Sequence, residues 1–240
     1  MDVLLNDDEN LVVDSARELL TNECPPKLVR AMEADEVGCS KELWAKVAEL
    51  GWQGMCLPEK VGGSNMSLVF LGLVMREVGR AIAPIPLHST AVATLAVARD
   101  GSAAQQEKYL PDVVAGKSVW TWAFTEKDPR FIPDAVQMSA KADGDNFILD
   151  GTKLFVDNFL AADYCLVVAR STAGSKGDKG LSLFIVDAKS AGISHNVLIT
   201  LAKDKQCEVV FKGVKVPKAN VIGTVGEAWP IVERIDRKST

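Results

Sequence analysis

Val119-Trp120-Thr121-Trp122-Ala123-Phe124 marks the point where the sequence changes texture. Before it, apolar residues recur every three to four positions; after it, they alternate. The first spacing lines one stripe of a helix, and the second lines one face of a strand. The segment itself, dense in aromatics, reads as the first strand. On its N-terminal side, Leu11, Val12, Ala16, Leu19 and Leu20 form one helical stripe. Ser40 is placed to cap a helix carrying Leu43, Trp44, Val47 and Leu50, with Gly51 as its stop. Leu57-Pro58-Glu59-Lys60-Val61-Gly62-Gly63 breaks any helix, since proline and glycine are costly inside one. Ser67 is expected to cap a helix over 68–80, apolar on most sides and therefore expected to be buried. Pro84 and Pro86 precede helices over 87–99 and 103–115, the second expected to be kinked or shortened by Pro111.

On the C-terminal side the pattern is strand after strand. Segments 136–143 and 147–152 flank Gly144-Asp145, a hairpin signal. Further strands are expected at 153–156, 164–169, 181–186, 208–211 and 214–216, then a helix from 226 to 237. Many short strands at this spacing predict a β-barrel or sandwich rather than a parallel α/β sheet. The fold class is α+β, a helical domain followed by a β-domain.

Composition excludes several functions. The chain has 240 residues, is 48% hydrophobic and 25% charged, and carries a net charge of −5. That is the mix of a globular protein, and the acidic balance offers nothing to a phosphate backbone, so no nucleic-acid partner is expected. Residues 1–120 carry 11 Lys+Arg against 17 Asp+Glu, whereas 121–240 carry 16 against 15. The longest apolar runs are too short for a membrane span, and the acidic start lacks the basic region of a targeting peptide. Five cysteines without a C-x-x-C spacing suit a reducing compartment, so a cytoplasmic location is expected. Two histidines without cysteine neighbours argue against a zinc site, and neither His88 nor His195 is expected to be catalytic. Cys165 lies among Leu166, Val167 and Val168 and reads as an inert buried thiol. Rossmann, P-loop and hydrolase-elbow motifs do not occur. The Gly174-to-Gly180 run reads as a solvated turn, because no helix follows it.

Four segments, in order, resemble the acyl-CoA dehydrogenase family. Leu57-Pro58-Glu59-Lys60-Val61-Gly62-Gly63 looks like its L-P-E-x-x-G-G loop. Trp122-Ala123-Phe124-Thr125-Glu126 is similar to its aromatic-x-x-T-E strand. Gly151-Thr152-Lys153-Leu154-Phe155-Val156-Asp157-Asn158, with Ala162-Asp163 downstream, matches G-x-K-x-[WF]-[IV]-x-[ND]. Val209-Val210-Phe211-Lys212-Gly213-Val214-Lys215-Val216-Pro217 is close to its V-x-F-x-x-V-x-V-P hairpin.

The resemblance implies an acyl-CoA dehydrogenase-like architecture: a helical N-terminal domain (1–118), a β-barrel-like middle domain (119–225) and the first helix of a C-terminal helical domain (226–240). It also implies FAD, held with help from a neighbouring subunit in a homo- or hetero-oligomer. The implied reaction is α,β-dehydrogenation of an acyl-CoA, with electron-transfer flavoprotein as the electron acceptor. The residues it assigns to the cofactor are Trp122, Phe124, Thr125, Phe155, Val156 and Asp157. A strand can meet the edge of an isoalloxazine with backbone groups, Thr125 can add a hydroxyl, and Phe124 and Phe155 can wall it from water. Without the resemblance the three aromatics read as core.

Three departures from the pattern matter. Lys127 to Asp134 replaces the family's P-x-A-G-S-D, so no substrate-binding residue is assigned. The Gly151-to-Val156 motif is similar to a subgroup associated with bulky, cyclic or steroid-like acyl groups. Asp157 stands where the family has a threonine; it either faces the flavin and opposes its reduction, or turns away to bond its own backbone. The family's catalytic carboxylate belongs to the last bundle, so no catalytic residue is assigned; with the stop at Arg237-Lys238-Ser239-Thr240 the resemblance leads us to expect the front part of a longer enzyme, the alternative being a shortened subunit that depends on a partner. On that reading Trp229, Ile231, Val232 and Ile235 are expected to form an exposed patch. Two other readings stand beside this one: a non-catalytic subunit of a hetero-oligomer, and a flavin-dependent monooxygenase of the same fold.

Overall fold

The computed structural model describes residues 4–237. Six helices come first: α1 (Asp7–Glu23), α2 (Pro26–Ala34), α3 (Lys41–Glu49), α4 (Leu68–Ala81), α5 (Leu87–Asp100) and α6 (Ala103–Val114). Asn6 and Glu9 close a capping box on α1, and Ser40 caps α3 as its sequence predicts. Ser67 precedes α4 in an extended conformation but makes no side-chain cap. Helix α2 was not legible: it is nine residues long, starts on a proline and buries none of its side chains. Pro111 stays inside α6, which ends three residues later.

The loop before α4 explains its two glycines. Gly62 sits at φ +89°, and a Cβ on Gly63 would lie 2.2 Å from the Leu57 carbonyl oxygen. Helix α4 itself departs from expectation. Only Val74, Glu77 and Val78 are buried. Its second apolar stripe lines a cleft instead. Glu77, 1% exposed, is held by Arg17 at 2.9 Å and Arg80 at 2.7 Å. These guanidiniums, Arg17 first, hold its carboxyl down to about 2.

The second half forms one mixed, mainly antiparallel sheet of β1 (Trp120–Ala123), β2 (Ser139–Asp143), β3 (Asn146–Asp157), β4 (Tyr164–Arg170), β5 (Leu181–Asp187), β6 (Ile193–Leu198), β7 (Gln206–Pro217) and β8 (Val221–Ile222). Its order is β6-β7-β3-β2-β4-β5-β8, with β1 alongside β4 in parallel, and the path does not close. The Gly144-Asp145 hairpin forms as read, with Asp143 opposite Asn146. Segments expected as separate strands merge: 147–152 with 153–156 in β3, and 208–211 with 214–216 in β7. Bulges in the β3–β7 ladder keep these long strands paired. Strand β6 was missed because its Ser194, His195 and Asn196 are exposed along the sheet edge and carry no alternation.

Helix α7 (Trp229–Arg237) reverses one expectation. Trp229, Ile231, Val232 and Ile235 are all buried, packed in one core with α5, α6, β4 and β5. The expected exposed patch does not exist, because the first two domains already supply the apolar surface this stripe needs.

Candidate functional site

The C-terminal end of β1 and the second half of β3 lie side by side. Leu154 N–H donates to the Thr125 carbonyl at 2.8 Å, and the Thr121 hydroxyl donates to the Asp157 carbonyl. The contact is locked from beneath by a buried ion pair. Lys153, 0% exposed, donates to the Glu126 carboxylate at 2.8 Å and to the Phe124 carbonyl at 2.9 Å. Glu126 also accepts the backbone N–H groups of Gln137 (2.9 Å) and Met138 (3.1 Å). Burial pushes the Lys153 ammonium below its ordinary value, and Glu126 pulls it back up. The family motif letters E and K are thus one structural bond. In the sequence Glu126 closes the Trp122-to-Glu126 segment and Lys153 sits inside the Gly151-to-Asn158 segment.

A bulge in β3 decides which side chains face the cleft. Between the pairs Lys153–Val209 and Val156–Cys207, β3 spends one more residue than β7. Lys153 and Val156, three positions apart, therefore both point inward. Phe155 takes φ +55° and turns out, 54% exposed. A left-handed backbone is costly for a phenylalanine, and such strain concentrates at functional sites.

Of the six residues assigned to the cofactor, Trp122, Phe124, Thr125, Phe155 and Asp157 converge on one cleft of about 170 Å³. Val156 does not join them. Its side chain is fully buried in the sheet core with Val167 and Cys207. Asp157 lines the cleft, half-buried. Trp122 stacks on Phe124 with centroids 5.8 Å apart. Phe131, from the segment that replaces the family's P-x-A-G-S-D, packs on Phe124 at 4.6 Å and on Trp229 at 5.4 Å. Cys165 is fully buried, its thiol pushed up by desolvation.

The structure adds residues that the sequence did not single out. His88, Val92, Leu154 and Ile235 complete the cleft. His88, Val92 and Ile235 also line a second, mainly apolar trough of about 190 Å³ between α4, α5 and α7. That trough follows α5 from His88 to Arg99, eleven residue steps or about 16 Å of helix. An ion pair between Arg234 and Asp100 joins α7 to α5 at its far end.

The cleft suits a flat aromatic ligand with a polar edge. Among the described residues the Thr125 hydroxyl has no hydrogen-bond partner, Phe155 presents an uncovered ring, and Trp122 and Phe124 form an apolar flank. The apolar trough opening from it suits a hydrocarbon group. The fold and this cleft define a helical domain and a mixed sheet with an aromatic-flanked cleft that shares lining residues with an apolar trough.

Residues 6–117 match the family described as "Acyl-CoA dehydrogenase, N-terminal domain", and residues 121–214 match "Acyl-CoA dehydrogenase, middle domain". The chain belongs to the acyl-CoA dehydrogenase family. It is 32% identical to cyclohex-1-ene-1-carbonyl-CoA dehydrogenase of Syntrophus aciditrophicus over 94% of its own length and 55% of the relative's. It is 29% identical to mitochondrial isovaleryl-CoA dehydrogenase of Pongo abelii, over 91% of this chain and 53% of that one. A solved structure described as a "Tcur3481-Tcur3483 steroid ACAD G363A variant" superposes with a TM-score of 0.82 at 30% identity, covering 97% of this chain and 61% of that one. The chain spans little more than half the length of these curated relatives. Membership implies a flavin cofactor. Among the described residues no helix is long and apolar enough to cross a membrane.

Proposed function

We propose that this chain supplies the flavin edge and the acyl trough of an FAD-dependent acyl-CoA dehydrogenase acting on a branched or cyclic acyl thioester. The observation that carries this reading is the junction of the two cavities. Five of the residues assigned to the flavin surround one cleft, and His88, Val92 and Ile235 are shared with the apolar trough. A substrate body lying in the trough therefore has its reacting end beside the flavin. The FAD, when bound, supplies the acceptor for the hydride that leaves the acyl β-carbon.

The chain's own residues bind and orient. Thr125 donates its hydroxyl to the polar edge of the ring system, on a backbone held fixed by Leu154 N–H and by the Glu126–Lys153 pair. Phe155 covers one face, and Trp122 and Phe124 exclude water, which strengthens every polar contact inside. Asp157 places a carboxylate at the cleft and makes reduction of the ring harder than a neutral residue would. No residue here is assigned as the base that takes the α-proton. The names of the relatives, which include cyclic and branched acyl groups, support the substrate class. Electron-transfer flavoprotein as acceptor, assembly with further subunits and a cytoplasmic location belong to the same proposal.

Anaerobic mixing of the FAD-loaded full-length protein with cyclic and branched acyl-CoAs, followed by flavin absorbance, tests it. Bleaching of the oxidised band with formation of the α,β-unsaturated thioester is expected. A flavin that stays oxidised with every thioester refutes the dehydrogenase reading. Hydroxylated product, formed only when oxygen is admitted, would indicate a monooxygenase instead.

A further inference from the structure

Leu68, Leu71, Gly72 and Met75 follow the helical spacing i, i+3, i+4, i+7, and all four line the trough. Gly72 is the anomaly in this stripe. Glycine inside a helix loses more backbone freedom on folding than alanine and is unfavourable there. Two structural causes ordinarily retain it: a left-handed backbone, or a neighbour too close for a Cβ. Neither applies to Gly72. Its φ is not positive, and a Cβ built on it meets no atom within 4 Å. Gly63 shows the contrast, with a Leu57 carbonyl at 2.2 Å from where its Cβ would be. The open space at Gly72 lies on the trough side, because its stripe neighbours Leu68 and Met75 both face the trough.

We propose that Gly72 is a specificity-determining residue of the acyl site. Its missing side chain makes a lateral notch in the α4 wall between leucine and methionine side chains. A notch of this kind adds width rather than length to a trough whose other walls are α5 and α7. Width is what a branched or alicyclic acyl body requires and a straight chain does not. The side chains around the notch are apolar, so the body it takes is hydrocarbon without polar substituents at that point. This inference rests on the trough being the acyl site, as proposed above.

The test uses the full-length chain loaded with FAD, titrated calorimetrically with cyclohexanecarbonyl-CoA and n-butyryl-CoA, with thermal melts run in parallel. Gly72→Leu should weaken cyclohexanecarbonyl-CoA on the order of tenfold or more while leaving n-butyryl-CoA within about twofold, as expected for hydrocarbon filling a shaped pocket. Gly72→Ala should raise the melting temperature, since nothing in the fold requires glycine there, and should weaken the cyclic thioester by less than the leucine does. It carries the same comparison if Gly72→Leu fails to fold. Equal effects on both thioesters, no effect on either, or a lower melting temperature for Gly72→Ala overturns the assignment while leaving the acyl trough standing. Failure of the unsubstituted protein to bind either thioester overturns the trough itself, and this assignment with it.

Discussion

Replacing Glu126 by glutamine isolates the ion pair beneath the cleft. The substitution keeps the shape and one side-chain oxygen acceptor but removes the counter-charge from a fully buried Lys153, which still donates to the Phe124 carbonyl. Two routes are then open to the lysine. It can stay charged without its counter-ion, which costs ~3–5 kcal/mol when a buried pair is broken from one side. Or it can shed its proton. From the ordinary value of 10.5, deprotonation at pH 7 costs roughly 5 kcal/mol, at 1.36 kcal/mol per pH unit. The two routes bracket the same loss. They also give it a pH signature. A lysine whose folded value lies below its unfolded one binds fewer protons in the native state, so stability rises with pH up to the unfolded value. Losing Glu126 lowers the folded value further and extends that window towards neutrality. The gap between the two proteins should therefore close by up to about 1.4 kcal/mol per pH unit between pH 7 and 10. Urea unfolding followed by tryptophan fluorescence at several pH values measures both quantities. Glu126→Gln/Lys153→Met, which removes both charges, should recover a large part of the loss. A loss under about 1 kcal/mol at pH 7 would refute the reasoning, as would a loss independent of pH.

Thr125→Val keeps shape and removes the unpartnered hydroxyl; it should cost ~1–3 kcal/mol of FAD affinity by equilibrium dialysis, with the melting temperature of the apoprotein unchanged. Phe155→Gly should act in opposite directions, relieving a left-handed backbone and stabilising the apoprotein by up to about 1 kcal/mol while weakening FAD binding. Asp157→Asn should raise the flavin midpoint potential in a spectroelectrochemical titration by removing a charge that opposes reduction. For Glu77, whose carboxyl is held down to about 2 in the folded chain, the stabilising effect is fully present above its ordinary value and lost as pH falls through about 2. Glu77→Gln should therefore flatten the acid limb of the stability profile.

The sequence by itself determined the class of the fold and singled out most of the residues that line the cleft. Helical spacing before Val119 and alternation after Trp120 separate two packing modes that no tertiary contact needs to arbitrate. Gly62-Gly63, Gly144-Asp145 and the Ser40 cap are local chemistry, set within a few residues, and they appear where they were read, whereas the cap read at Ser67 does not form. The strand motifs singled out Trp122, Phe124, Thr125, Phe155 and Asp157, and these five line one cleft. Tertiary structure decided which way each element faced. A one-residue bulge against β7 sends Phe155 out and Val156 in, and no alternation within β3 encodes the partner strand that imposes it. Strand β6 exists because β7 offers an edge, although its exposed polar residues carry no pattern. The apolar stripe of α7 looked like surface awaiting a partner; α5, β5 and Phe131 turned out to be that partner. The second stripe of α4 looked like core and lines an open trough. Hydrophobicity states that a surface must be covered, but only the assembled neighbours determine whether protein or ligand covers it.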